Sequence, residues 1–352
     1  MQLLEAYQIK FTKLIFITTL LTIAIVYIFY SWEQNYGLTI AVTALGHGHF
    51  LLAYFFSYEI FSKWIKQKKF WHNITLLAII VLAVYVIFYR LIGGDMSFLQ
   101  RLLIIYFFSF LYFALHNARD VIAMFKEYNN DHQRNSWTEK NILFIGIILS
   151  ICAALGIKFF FGTSFGNVYA EADYTVLFNG NNQFLGNIYY SLIVLTVIVS
   201  TYIAINYFII RQRINGMLTA ILAVILLATA LLTVVNFKGI DVLNFIILWH
   251  FMLWYVFFVE KIKFFQKKFA GTKIPTDKLT GLAGIIFKFR KTPLNFLSLT
   301  ITVNLIIVLI ALYFVKAYSL ESTAVINPVF GLYWFSLYSV AHISFSFFPK
   351  NS

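Results

Sequence analysis

The chain has few of the residues that mark soluble domains. Only 12% of its 352 residues are charged, with 14 acidic residues against 27 lysines and arginines. Globular domains carry about a quarter charged residues, so a soluble surface is excluded over most of the length. One cysteine, Cys152, excludes an intrachain disulfide and a thiolate metal site, and its place inside an apolar run fits core packing. There is no phosphate-binding glycine loop, no catalytic-triad signature, no HExxH and no CxxC. The commonest sequence marks of nucleotide, hydrolase, zinc-protease and dithiol chemistry are therefore missing.

What is present is apolar. Apolar residues make up 61% of the chain, aromatic residues 20%, and the mean hydropathy is +0.80. With about 20 residues needed per bilayer crossing, the length is consumed by spans. The pattern predicts an all-α polytopic membrane protein: one bundle, 1–352, of about ten transmembrane helices with both termini cytoplasmic. The expected spans are 14–32, 38–61, 73–92, 98–117, 141–162, 188–210, 217–236, 242–260, 294–315 and 326–347. The first run has no small-residue cleavage site after it, so it is expected to be a retained span.

The net charge of +13 is placed between the spans rather than along one soluble face, which favours membrane orientation over nucleic-acid binding. Of the lysines and arginines, all but Arg90, Arg101, Lys158, Lys238 and Lys316 fall on the cytoplasmic side of this arrangement. The basic loop 261–293 is expected to be cytoplasmic, close to the anionic lipids of the inner leaflet. Its GLAGIIFKFRK end is expected as an amphipathic helix on the surface. The loop 163–187 has Glu171 and Asp173 and no basic residue, and is expected outside. The localisation implied is the inner, or plasma, membrane.

Histidines stand out against this background. Five of the seven lie in or at the ends of apolar runs: His47 and His49 in 43–61, then His116, His250 and His342. Ionisable groups at membrane depth face the bundle interior and mark functional sites by default. From the expected outer span ends, His250 lies about 12 Å deep, His47 and His49 about 14 and 17 Å, His342 about 24 Å and His116 about 27 Å. A shift of a few residues in two boundaries would bring them to one layer. His47 and His49 are about 200° apart around a helix, so one of the pair is expected to face a shared site while the other bonds elsewhere. Gly46 and Gly48 beside them predict local irregularity or a close approach by a neighbour.

Neutral imidazoles suit iron, copper and zinc, and three or four of them with open positions make a redox or Lewis-acid centre. Each ligating ring needs an acceptor for its other N–H, and Asp120, Glu59 and Asn117 are the candidates, with Asn304, Tyr338 and Ser346 near in depth. The competing expectation is that each histidine is a separately satisfied interhelical hydrogen-bonding residue.

The order of motifs resembles the Brp/Blh family, membrane carotene dioxygenases that cleave beta-carotene to retinal at a non-haem iron held by histidines. His47-Gly48 takes the place of an early His-Gly motif. His116 with Asp120 takes that of a histidine followed by aspartate, His250 that of a further histidine-bearing span, and His342 in SVAH that of the final one. The chain departs from the pattern where His49-Phe50-Leu51-Leu52 follows the first glycine instead of a run to aspartate. It departs again at Trp254, where the family has a second histidine, and in two or three extra spans. The resemblance implies iron and dioxygen, while the departures bear on the substrate. The function expected is a metal-dependent oxygenase acting on a lipid-soluble substrate such as a carotenoid. The alternatives are a haem protein using His250 and one other histidine axially, and a transporter or assembly protein relaying protons.

Overall fold

The computed structural model describes residues 2–68, 71–72, 74–75, 79, 112–113, 116–117, 120, 124, 242–268, 281–325 and 327–346. Among the described residues the secondary structure is helical, with no strand. The expected spans 141–162, 188–210 and 217–236, most of 73–92 and 98–117, the loop 163–187, Cys152 and His132 lie outside the described residues, as does 269–280 of the basic loop.

The first helix, α1 (Gln2–Phe56), is broken at Glu33 (φ −147°, ψ 36°) and Gln34 (φ 51°, ψ −129°). Its apolar stretch, Lys13–Phe56, has 44 residues. Straight, that would be about 66 Å, more than twice the hydrocarbon thickness of about 30 Å. The break falls in EQNYG, residues 33–37 between the expected spans 14–32 and 38–61, and reverses the chain. Gly37 sits so tightly against the Phe29 carbonyl that a Cβ would overlap it. The two arms are therefore a helical hairpin. Ser57 ends the second arm, donating its N–H to Ala53 O at 3.0 Å, and the short α2 (Tyr58–Ile65) follows.

The second arm is packed by three helices. In α3 (Val242–Lys268), Asn244 Nδ2 donates to Thr39 Oγ1 at 3.2 Å near one end, while the rings of Phe258 and Phe56 lie 6.1 Å apart near the other. The two therefore run parallel. After α4 (Gly281–Arg290), α5 (Pro293–Ala317) runs the opposite way, with Phe296 5.4 Å from Phe56 and Asn304 against Gly48. Past α6 (Leu320–Val325), α7 (Leu332–Ser346) is again parallel, its Phe335 against Gly46 and its His342 5.6 Å from Tyr54. Trp254, Phe258, Phe296 and Phe56 form an aromatic knot below the histidines, with the first two rings 4.3 Å apart.

Local sequence explains the clearest boundaries. Thr292-Pro293 starts α5: Thr292 Oγ1 accepts the Asn295 N–H at 3.1 Å, and Pro293 occupies the first turn, where it removes no helical bond. Thr292→Ala is expected to destabilise the helix start by about 1 kcal/mol. Thr292→Ser should be nearly neutral, both read as shifts in the detergent-unfolding midpoint. At the other end of the second arm, the Arg290 guanidinium donates to the Phe56 carbonyl and lies 5.3 Å over its ring. A helix-end carbonyl is thus satisfied by a cation.

One expected boundary is corrected. The run 326–347 is not a single helix: Asn327 Oδ1 accepts the N–H groups of Val329 (2.9 Å) and Phe330 (3.0 Å), and with Pro328 it builds a turn before Leu332. The 15 residues of α7 span about 22 Å, less than the hydrocarbon core.

Among the described residues, three helices are long and apolar enough to cross a bilayer: Lys13–Phe56, Asn244–Lys263 and Pro293–Ala317. α5 buries Phe296, Thr300, Asn304, Ile307 and Ala311 on one face and leaves Leu294, Ile301, Leu305 and Leu309 exposed on the other. At about 25 cal/mol per Å² that outward face is unfavourable in water and at home in lipid. The chain is a membrane protein, and its apolar outer surfaces are suited to contact with the bilayer.

Candidate metal centre

Four histidines from four parts of the chain meet in one layer. His49 comes from the second arm of α1, His250 from α3, His342 from α7 and His116 from the helical residues around 112–124. Ring centroids are 5.0 Å apart for His49–His342, 5.6 Å for His49–His250, 5.1 Å for His116–His250 and 5.6 Å for His116–His342. Each ring thus has two histidine neighbours, and all four are buried. The late start of α7 brings His342 to this layer. Counted from Leu332, it lies about 15 Å along its helix, near the 12 Å of His250, not the 24 Å that a start at 326 implied.

The fifth histidine is turned away. His47 Nδ1 pairs with the Thr43 carbonyl, and its ring lies among Phe330 (5.5 Å), Phe335 (5.8 Å) and Tyr338 (5.5 Å). The split between His47 and His49 follows from their 200° separation on a helix that is regular here. The flanking glycines act through close packing and not through a bend. A Cβ on Gly46 would meet the rings of Phe335 and Phe251, and one on Gly48 would meet the Asn304 amide. Asn304 in turn donates to Thr300 O at 2.8 Å and shares a hydrogen bond with the Tyr255 hydroxyl, which itself donates to Leu45 O at 3.3 Å.

His250 Nδ1 donates to Asn117 Oδ1 at 2.9 Å, which leaves Nε2 as the lone-pair nitrogen. That Nε2, both ring nitrogens of His49 and Nδ1 of His342 are buried without a hydrogen-bond partner. Each unsatisfied buried polar atom costs about 1–3 kcal/mol, so four of them within one layer are not a neutral feature. His116 Nε2 lies 3.5 Å from Asp120 Oδ2, one turn on, and ligand atoms of His116, Asp120 and His250 all fall within 4.8 Å of one another.

Among the described residues, His116, Asp120 and His250 present ligand atoms close enough together for one metal ion, and the rings of His49 and His342 border them. Imidazoles bound at about 2.1 Å and separated by angles of roughly 90–120° have centroids about 4.5–5.5 Å apart; two of the observed spacings, 5.0 and 5.1 Å, fall in that range and two, at 5.6 Å, lie just above it. A cavity of about 20 Å³ lies among the rings, enough for a single ion or water. Its remaining wall is largely apolar, from Phe50, Phe113, Phe251 and Phe335, with the hydroxyl-bearing Ser336 and Ser339 of α7 as the exceptions.

Of the expected outer partners, Asn117 and Asp120 are in place, whereas the side chains of Glu59 and Ser346 lie outside the described residues. Tyr338 donates to Pro328 O at 3.4 Å and serves the turn before α7. Sequence reasoning missed Trp254 and Phe251, which wall His49 edge-on at 4.8 Å and stacked at 5.1 Å. It also missed Ser336 and Ser339, although Ser336, Ser339 and His342 follow one another at intervals of three, which puts them on one side of the helix. Comparison with family models, with curated proteins and with solved structures finds no match for this chain.

Proposed function

We propose that this protein is a membrane-embedded metalloenzyme that oxidises a lipid-soluble substrate of the carotenoid type, with iron held by His49, His116, His250 and His342. The observation that carries the reading is the convergence of four buried imidazoles around a space the size of one ion, with nitrogens of His49, His250 and His342 that have no hydrogen-bond partner. The motif order shared with the Brp/Blh family supports iron and dioxygen. When bound, iron would supply redox chemistry with dioxygen at positions that the four imidazoles leave open.

The chain's own residues prepare that chemistry. Asn117 holds His250 in the Nδ1–H tautomer and keeps its Nε2 lone pair available. Trp254 and Phe251 fix the plane of the His49 ring. Phe50, Phe113, Phe251 and Phe335 line the cavity with apolar surface, which disfavours bulk water there and strengthens electrostatic contacts inside. A cavity of about 20 Å³ favours a single ion over haem, whose macrocycle needs far more room.

The test is elemental analysis of purified protein, followed by incubation with beta-carotene in the presence and absence of dioxygen. Stoichiometric iron with oxygen-dependent conversion to an aldehyde is the expected result. A metal-free, monodisperse protein would turn attention to the transporter reading.

The proposed setting is the inner membrane, with about ten spans and both termini in the cytoplasm. Reporters fused at 62–72, 261–293 or the C-terminus should then read cytoplasmic, and one within 163–187 external. An external C-terminus would make the span number odd. The basic segments around Lys63, Lys66, Lys68, Lys288 and Lys291 would contact anionic inner-leaflet lipids, each charge contributing about 1 kcal/mol.

A further inference from the structure

Asp120 stands at the edge of the histidine layer in a position that an outer hydrogen-bond acceptor would not need. Its Oδ2 is 3.5 Å from His116 Nε2, at the outer limit for a hydrogen bond. Two ligands bound at about 2.1 Å and separated by about 110° are about 3.5 Å apart. The His250 ligand atom completes a triangle with them, every side within 4.8 Å. The i,i+4 spacing puts His116 and Asp120 on one helical face, so a single element delivers both groups. Charge points the same way. Four neutral imidazoles around a divalent ion leave two positive charges among apolar residues, and one carboxylate in direct contact halves that charge where burial makes it costly.

We infer that Asp120 binds the ion directly, so that the centre is a mixed four-histidine, one-carboxylate site and not a purely histidine one. This rests on the metal reading above and deepens it. A fifth ligand leaves one position of an octahedron for the reacting partner, whereas four histidines alone would leave two. It also selects for ions that accept oxygen and nitrogen donors together, such as iron(II), over copper(I), which prefers softer donors.

Cobalt(II) is the probe, loaded into the purified full-length chain and read by visible absorption, which is several-fold stronger per ion for four-coordinate than for five- or six-coordinate cobalt. The parent is expected to give the weak spectrum of high coordination. Asp120→Ala should raise the absorption per cobalt several-fold and loosen cobalt by more than the roughly 100-fold upper end of outer-partner effects. Asp120→Glu, which keeps a carboxylate, should keep the weak spectrum. If Asp120→Ala fails to fold, Asp120→Asn preserves the shape, and the parent spectrum still decides. A four-coordinate parent, or an Asp120→Ala spectrum identical to the parent's, overturns direct ligation while leaving the metal reading intact. A parent that takes up no cobalt and carries no iron overturns both.

Discussion

Alanine at His250 is expected to empty the site. Removing this ring takes away a ligand and leaves Asn117 Oδ1 without its donor, so metal bound per mole of folded protein should fall from about one to near zero. The loss of affinity should exceed the 10–100-fold typical of outer partners. His49→Ala and His342→Ala should do the same, because each contributes buried nitrogens with no other partner. His47→Ala is expected to keep the metal, since its ring faces Phe330, Phe335 and Tyr338, and the exposed His72 should tolerate alanine equally. This contrast separates the shared site from independent interhelical hydrogen bonds. Those average only about 0.6 kcal/mol in a well-studied bundle and would make each substitution a small loss of stability without a common effect. Elemental analysis on monodisperse variants decides. Full occupancy in both His250→Ala and His342→Ala would end the shared-site reading.

The sequence made some of this arrangement legible and hid the rest for physical reasons. Run length and apolarity locate α5 to within two residues and the start of α3 at Val242, because Thr292-Pro293 and the polar residues 237–241 are local signals, whereas α3 runs eight residues past the expected end at 260. The break at Glu33–Gln34 was equally local. The turn at Asn327-Pro328 was also written in the chain, but apolar residues on both sides mask it when hydropathy alone sets the span. That one boundary displaced His342 by about 9 Å and added to an expected spread in depth whose far end was His116, at about 27 Å. Which of His47 and His49 faces the site was not legible, because it depends on how the second arm is rotated against α3, α5 and α7. Gly46 and Gly48 set that rotation by admitting Phe335, Phe251 and Asn304, contacts between residues 200 or more positions apart in sequence. Direction was another matter. The parallel run of the second arm, α3 and α7 agrees with the order expected from alternating charge between spans, and this common direction lets their histidines share a layer.

Asn117 carries the second large effect, because it acts on the ion only through His250. Its Oδ1 accepts the Nδ1–H at 2.9 Å from a fully buried position, which fixes the tautomer that leaves Nε2 to the site. Asn117→Leu removes that acceptor without removing bulk. The Nδ1–H is then buried unpaired at a cost of about 1–3 kcal/mol, or the ring flips its proton to Nε2 and blocks ligation. Metal dissociation constants are therefore expected to rise about 10–100-fold in Asn117→Leu while the four histidines remain in place. Asn117→Asp should restore or exceed parental affinity, because a carboxylate accepts the same proton more strongly and makes the imidazole a better donor to the ion. Competition with a chelator of known affinity measures both variants, and thermal unfolding of the metal-free forms separates binding from folding. If Asn117 only packs the helix, Asn117→Leu will bind metal like the parent and Asn117→Asp, with a second carboxylate beside Asp120, will be the less stable of the two.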